Sequence, residues 1–132
     1  MVEKYPGQLK VVFKNFPLRN HQMALPAAQA ALAAHKQGKF WPYHDKLFAS
    51  FNNLNEASLQ KFASEAGLDI AKFNSDRTSP AVSQQINQDM QGGLAAGVRG
   101  TPTIFVNGLL LKERSLTEVS RLIDSELNRL KE

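Results

Sequence analysis

The apolar residues fall first into a short run, then into helical spacings, and finally into a second pair of runs. Residues 8–13, Gln-Leu-Lys-Val-Val-Phe, follow a Pro6-Gly7 turn and read as a β-strand that Asn15, Pro17 and Asn20 bring to an end. From Ala24 to Lys36 alanine dominates, with Leu25 and Leu32 among small residues. High helix propensity and tolerance of close packing predict a buried or half-buried helix there, terminated by Gly38. Phe40, Tyr43, Leu47 and Phe48 fall near one side of a second helix over 41–50. Pro42 sits in its first turn, where a missing N–H costs little. Asn55 caps a third helix through Ala66, apolar at Leu59, Phe62 and Ala63, and Gly67 stops it. Residues 69–73 form a short helix. Ser79 as cap and Pro80 at the first helical position open another, running to Met90 or as far as Ala96, its far end weakened by Gly92-Gly93.

The last third changes character. Residues 103–106, Thr-Ile-Phe-Val, are β-branched and aromatic and predict a strand. Asn107-Gly108 is the strongest short hairpin signal, because both central residues of a type I′ turn need positive φ, and residues 109–112 return antiparallel. Ser115-Leu116-Thr117-Glu118 is a capping box, and Leu116, Val119, Leu122, Ile123, Leu127 and Leu130 form the apolar stripe of a closing amphipathic helix. The order predicts one α/β domain over residues 1–132, with no internal linker or repeat. A helical insertion over 22–97 and the closing helix would cover both faces of a small mixed sheet.

Composition narrows the partners. With 132 residues, 42% hydrophobic and 21% charged, the chain is long enough to bury one core. No apolar run approaches the roughly 20 residues that span a bilayer, so no membrane partner is expected. The opening residues read as neither a signal peptide nor a lipidation site, and as written the chain is expected to stay where it is made. Its 16 Lys and Arg against 12 Asp and Glu are scattered rather than gathered beside aromatics, which argues against nucleic acid. There is no cysteine, so a disulfide framework, a thiolate zinc site and a thiol nucleophile are all excluded, while the compartment stays open. His21, His35 and His44 lack mutual i, i+4 spacing and an acidic cluster, so neither a metal nor another cofactor is expected. His44-Asp45 has no nucleophile motif beside it. Trp41, Phe40 and Phe48 read as core anchors, and Met23 and Met90 as gap fillers.

Gly100-Thr101-Pro102-Thr103 stands immediately before the 103–106 strand, where Pro cannot continue a central ladder. Followed by the hairpin and the capped helix, it predicts a cis peptide between Thr101 and Pro102. The whole stretch 98–108, Val-Arg-Gly-Thr-Pro-Thr-Ile-Phe-Val-Asn-Gly, closely resembles the cis-proline loop and hairpin of the DsbA-like thioredoxin-fold proteins, which are thiol–disulfide oxidoreductases. Residues 12–18 resemble the strand that family places after its active-site helix. His21, the alanine-rich 27–34, Gly38-Lys39-Phe40-Trp41 and residues 44–48 resemble the start of its helical insertion. The resemblance runs through nearly the whole chain in the same order.

One departure changes what the resemblance implies. The family places a first strand and a Cys-x-x-Cys helix before these residues, and residues 1–5 here resemble only the tail of that helix. The expected fold is therefore α/β, an incomplete thioredoxin-like fold with a helical insertion. The family's chemistry needs a thiolate of lowered pKa and a second, resolving thiol, so this chain alone is expected to be redox-inactive. By resemblance Thr101 and Pro102 would contact an extended peptide or protein substrate; setting the turn into the strand is the other role open to them.

The leading reading is the C-terminal bulk of a DsbA-like oxidoreductase. The alternatives are a non-enzymatic peptide-binding or assembly module that keeps the cis-proline groove, and a glutathione-dependent isomerase-like relative. An in-frame Cys-x-x-Cys immediately upstream in the DNA would separate the first from the others. The family is commonly extracytoplasmic, which leaves localisation open. Without the first strand, the edges of residues 9–13 and 103–106 would be exposed, and a homodimer through one or both is expected.

Overall fold

The computed structural model describes residues 4–18, 21–101, 103–112 and 115–131, and its contacts divide the chain into two bodies. The larger covers 14–97 and is helical. It comprises α1 (Ala24–Lys36), α2 (Phe40–Ala49), a 3₁₀ turn (Phe51–Asn53), α3 (Glu56–Glu65), α4 (Ile70–Arg77) and α5 (Pro80–Ala95). The alanine run of α1 explains the architecture. Ala30, Ala31, Ala33 and Ala34 are buried, and their small side chains let α2, α4 and α5 approach the α1 backbone closely. Around them Tyr43, Leu47, Leu59, Phe62, Ala63, Leu68 and Phe73 close one core. The Tyr43 hydroxyl donates to the Leu59 carbonyl at 3.0 Å, so the largest buried side chain leaves no polar atom unsatisfied.

Caps fix where these helices begin. The Asn55 side chain accepts from the Ser58 N–H at 2.8 Å while the Ser58 hydroxyl receives the Asn55 N–H at 2.9 Å, a reciprocal box. Asp69 caps α4, and Ser79 caps α5 with Pro80 at its first position. The Gln37 amide joins the end of α1 to the start of α4, donating to the Asp69 carbonyl at 3.1 Å and accepting the Asp69 N–H at 2.9 Å. The short helix expected over 69–73 runs on to Arg77. Its far end is held by the Arg77 ion pair with Glu56, one bond of which measures 3.1 Å, and by the Gln60–Asn74 contact.

The second body holds residues up to 13 and from 98 onward. Strands β1 (Phe105–Val106) and β2 (Leu109–Leu110) pair antiparallel, Phe105 opposite Leu110 and Val106 opposite Leu109. Asn107 at φ 49° and Gly108 at φ 82° make the type I′ connection. The Leu111 N–H donates to the Ile104 carbonyl at 2.9 Å and extends the ladder by one bond. Helix α6 (Leu116–Lys131) packs on β1, and the Ser115 hydroxyl accepts the Glu118 N–H at 3.1 Å at its start. Tyr5 is buried, and its hydroxyl donates to Asp124 of α6 at 2.8 Å.

Five expectations are corrected. Residues 8–13 form no strand, and the runs at 103–106 and 109–112 shorten to two residues each. A strand exists only through its neighbours' hydrogen bonds, and among the described residues the sheet has two antiparallel members rather than a mixed set. Trp41 and Phe48 are not core anchors: they are 46% and 62% exposed, because Tyr43 and Leu47 occupy the inward side of α2. In α6, Leu116 and Leu130 lie exposed while Ser120 and Glu126 are buried, so the buried side is rotated and shorter than the apolar stripe. Glu126 receives Arg129 at 2.6 Å, one turn on.

Candidate functional site

The loop before β1 is the region the sequence singles out for chemistry. It begins after Gly97, whose φ of 89° ends α5 in a conformation that L side chains rarely adopt. The Thr103 hydroxyl donates to the Gly100 carbonyl at 2.6 Å and ties the loop across three residues as it enters β1. Thr101 is exposed, two residues before Thr103. Pro102, with the expected cis bond and its substrate contact, lies outside the described residues. Among the described residues the loop thus leads from the end of α5 through Gly100 and Thr101 to Thr103, directly before β1.

The histidines do not assemble. His21 lies in the turn before α1, His35 near the end of α1, and His44 on α2. Among the described residues no three His, Cys, Asp or Glu side chains converge as a metal site. His44 instead belongs to an aromatic row. Its ring lies 5.2 Å from Trp41, 5.5 Å from Phe40 and 4.3 Å from Phe48, and its Nδ1 is 3.4 Å from Asp45. Trp41 in turn stacks on Phe40 at 5.0 Å. Trp41, His44 and Phe48 recur on α2 at intervals of three and four, with Phe51 three residues on in the 3₁₀ turn, so α2 carries a second, ring-bearing stripe beside its buried one. That spacing is present in the sequence, and a single-stripe reading of α2 overlooks it.

A buried carboxylate was also overlooked. Asp89 follows Val82 and Ile86 on the buried side of α5. Its Oδ2 accepts the Asn15 backbone N–H at 3.0 Å and the Asn15 amide at 2.8 Å, and its Oδ1 accepts Gln85 at 2.8 Å. The signal was an acidic residue at i, i+4, i+7 register with two core residues, a position tolerable only with donors supplied. Asn15, read as a strand breaker, is the donor.

Ionisation is perturbed away from the loop. Burial pushes the Tyr43 phenol well above the ordinary tyrosine range, with smaller opposing effects from the Arg77 and Glu56 charges. The Arg77 hydrogen bond, then that of Gln60, holds the Glu56 carboxyl below its usual range.

Comparison with known proteins bears on the whole chain. A family profile described as Thioredoxin matches residues 1–125. The chain is 38% identical over 108 residues to a protein named Na(+)/H(+) antiporter NhaA from Herminiimonas arsenicoxydans, covering 82% of this chain and 17% of that one. It is equally 38% identical over 101 residues to Na(+)/H(+) antiporter NhaA 3 of Salinispora tropica, covering 76% and 16%. The chain thus spans less than a fifth of the length of these curated relatives. The crystal structure of a thioredoxin-like oxidoreductase from Silicibacter pomeroyi DSS-3 superposes with a TM-score of 0.77 at 28% identity, over 89% of this chain and 68% of that one.

Proposed function

This chain belongs to the thioredoxin family, in its DsbA-like oxidoreductase branch, and from that premise we propose that it is the C-terminal bulk of such a domain and performs no dithiol chemistry by itself. The observation that carries the reading is the absence of any cysteine from a sequence that keeps the family's loop, hairpin and closing helix. Exchange of a disulfide needs a thiolate to attack one sulfur and a second thiol to release the mixed disulfide. Neither Thr101 nor Thr103 can substitute, because a hydroxyl cannot carry the two-electron couple. The exposed Val11 and Val12 support the first half of the reading, since a further strand would cover such side chains in a complete sheet.

The antiporter matches are read as a thioredoxin-type module inside longer proteins. No helix among the described residues is long and apolar enough to cross a membrane, and ion transport is not assigned to this chain.

The test is direct. The purified chain should neither reduce insulin nor oxidise a model dithiol peptide above a protein-free control; a rate above that control overturns the assignment. A second reading, a peptide-binding or assembly module, draws support from the exposed Thr101 beside β1. Saturable binding of unfolded peptides that weakens on Thr101→Pro, which removes a backbone donor at the loop, would favour it.

A further inference from the structure

The chain passes from the smaller body to the helical one after Phe13 and returns after Gly97. Both crossings lie outside any helix or strand. Residues 10–14, Lys-Val-Val-Phe-Lys, are all exposed, Val11 and Val12 at 55% and 58%. Immediately beyond them Asn15 is buried, held by Asp89 through its backbone N–H at 3.0 Å and its amide at 2.8 Å. At the second crossing Gly97, Arg99 and Thr101 are exposed, with Val98 and Gly100 half-buried. Each crossing carries basic side chains, Lys10 and Lys14 in the first and Arg99 in the second.

Among the described residues inside the helical body, basic side chains are placed differently. Lys36, Lys46, Lys61, Lys72 and Arg77 lie within helices, and the Lys39 N–H closes a tight turn on the Ala34 carbonyl at 2.9 Å. A protease takes several residues of extended backbone into its cleft, which helices and closed turns supply only on unfolding. The body also has what it needs to stay folded alone. Its core, from Ala30 to Phe73, is drawn from its own helices and the residues between them, and Val82 and Ile86 of α5 are buried as well. Its length exceeds the roughly 60 residues at which many domains fold independently.

We propose that the helical body is an autonomously folding module, and that the Lys10–Val11 and Arg99–Gly100 bonds are the sites at which a trypsin-class protease excises it. Each cut adds water across one peptide bond, leaving a carboxylate on Lys10 or Arg99 and an ammonium on Val11 or Gly100. A further cut after Lys14 trims the exposed end back to Asn15, where the contact with Asp89 stops it. The smaller body is the less resistant one, since its Lys112 is exposed outside helix and strand.

Limited digestion of the full chain with trypsin, read by mass spectrometry, tests it. The longest-lived product should begin at Val11 or Asn15 and end at Arg99; any other pair of ends overturns the proposal. Subtilisin, whose side-chain preference is broad, separates access from the placement of basic residues. Its longest-lived product should have its ends within residues 10–15 and 97–101, and an end anywhere else overturns the assignment of the crossings. Trp41, the single tryptophan, belongs to the helical body and reads the folding of that body. The isolated tryptic product should lose its native Trp41 emission in one cooperative urea transition. A gradual drift with no transition overturns its autonomy.

Discussion

Asp89 is buried with both carboxylate oxygens satisfied by neutral donors from Asn15 and Gln85. Removing it strands two Asn15 donors in the interior, so Asp89→Ala should cost about 2–4 kcal/mol in urea denaturation, with Asp89→Asn costing less because one acceptor oxygen survives. Tyr43 gives a pH-dependent counterpart. Its phenol is raised by burial, so the fold favours the neutral form. The sign follows. Tyr43 contributes fully below the unfolded-state pKa of about 10, and that contribution is lost as pH climbs beyond it towards the higher folded value. The urea midpoint of the native chain should fall above about pH 10, and fall less steeply in Tyr43→Phe. At neutral pH that variant should cost about 1 kcal/mol for the lost bond to the Leu59 carbonyl.

Local sequence chemistry decided most of the elements. The Asn55–Ser58 box predicts that Asn55→Ala destabilises by about 1 kcal/mol and Asn55→Gly by only a few tenths, measurable by thermal unfolding. Helix α1 runs from Ala24 to Lys36 as its composition dictates, and Asn107-Gly108 makes the turn its backbone freedom predicts. Each of these signals acts within a few residues, so the sequence displays it. The 8–13 strand failed for the opposite reason. Its residues have strand propensity, but a ladder is a property of two segments, and propensity says nothing about whether the second is in place. The two stripes of α2 lie between these cases: the spacing of Trp41, His44, Phe48 and Phe51 was legible, but which stripe faces the core depended on α1 and α3.

At the scale of the molecule, the helical body carries its own core, centred on Tyr43, Leu59, Phe62 and Phe73. Phe73 is fully buried, and Phe73→Ala should cost about 3–5 kcal/mol, read from the urea midpoint. The smaller body rests on fewer buried apolar residues, among them Tyr5, Leu111 and Ile123. Hydrogen exchange at low protein concentration should therefore show greater protection in α1, α3 and α5 than in β1, β2 and residues 9–12. Comparable protection in both sets would mean that the hairpin body gains stability from contacts other than its own core.

The sequence by itself determined the helices, their caps, the hairpin turn, the resemblance to the DsbA-like proteins and the absence of cysteine, because each depends on residue identity or on neighbours along the chain. Tertiary structure decided three other things. It buried Asp89 by bringing Asn15 to it across 74 positions, turned Trp41 and Phe48 outward because Tyr43 and Leu47 fill the α1–α3 side, and left residues 8–13 without a ladder. These depend on which distant segment supplies a donor, a packing surface or a hydrogen-bonded edge, and that partner is chosen by the fold rather than by local sequence.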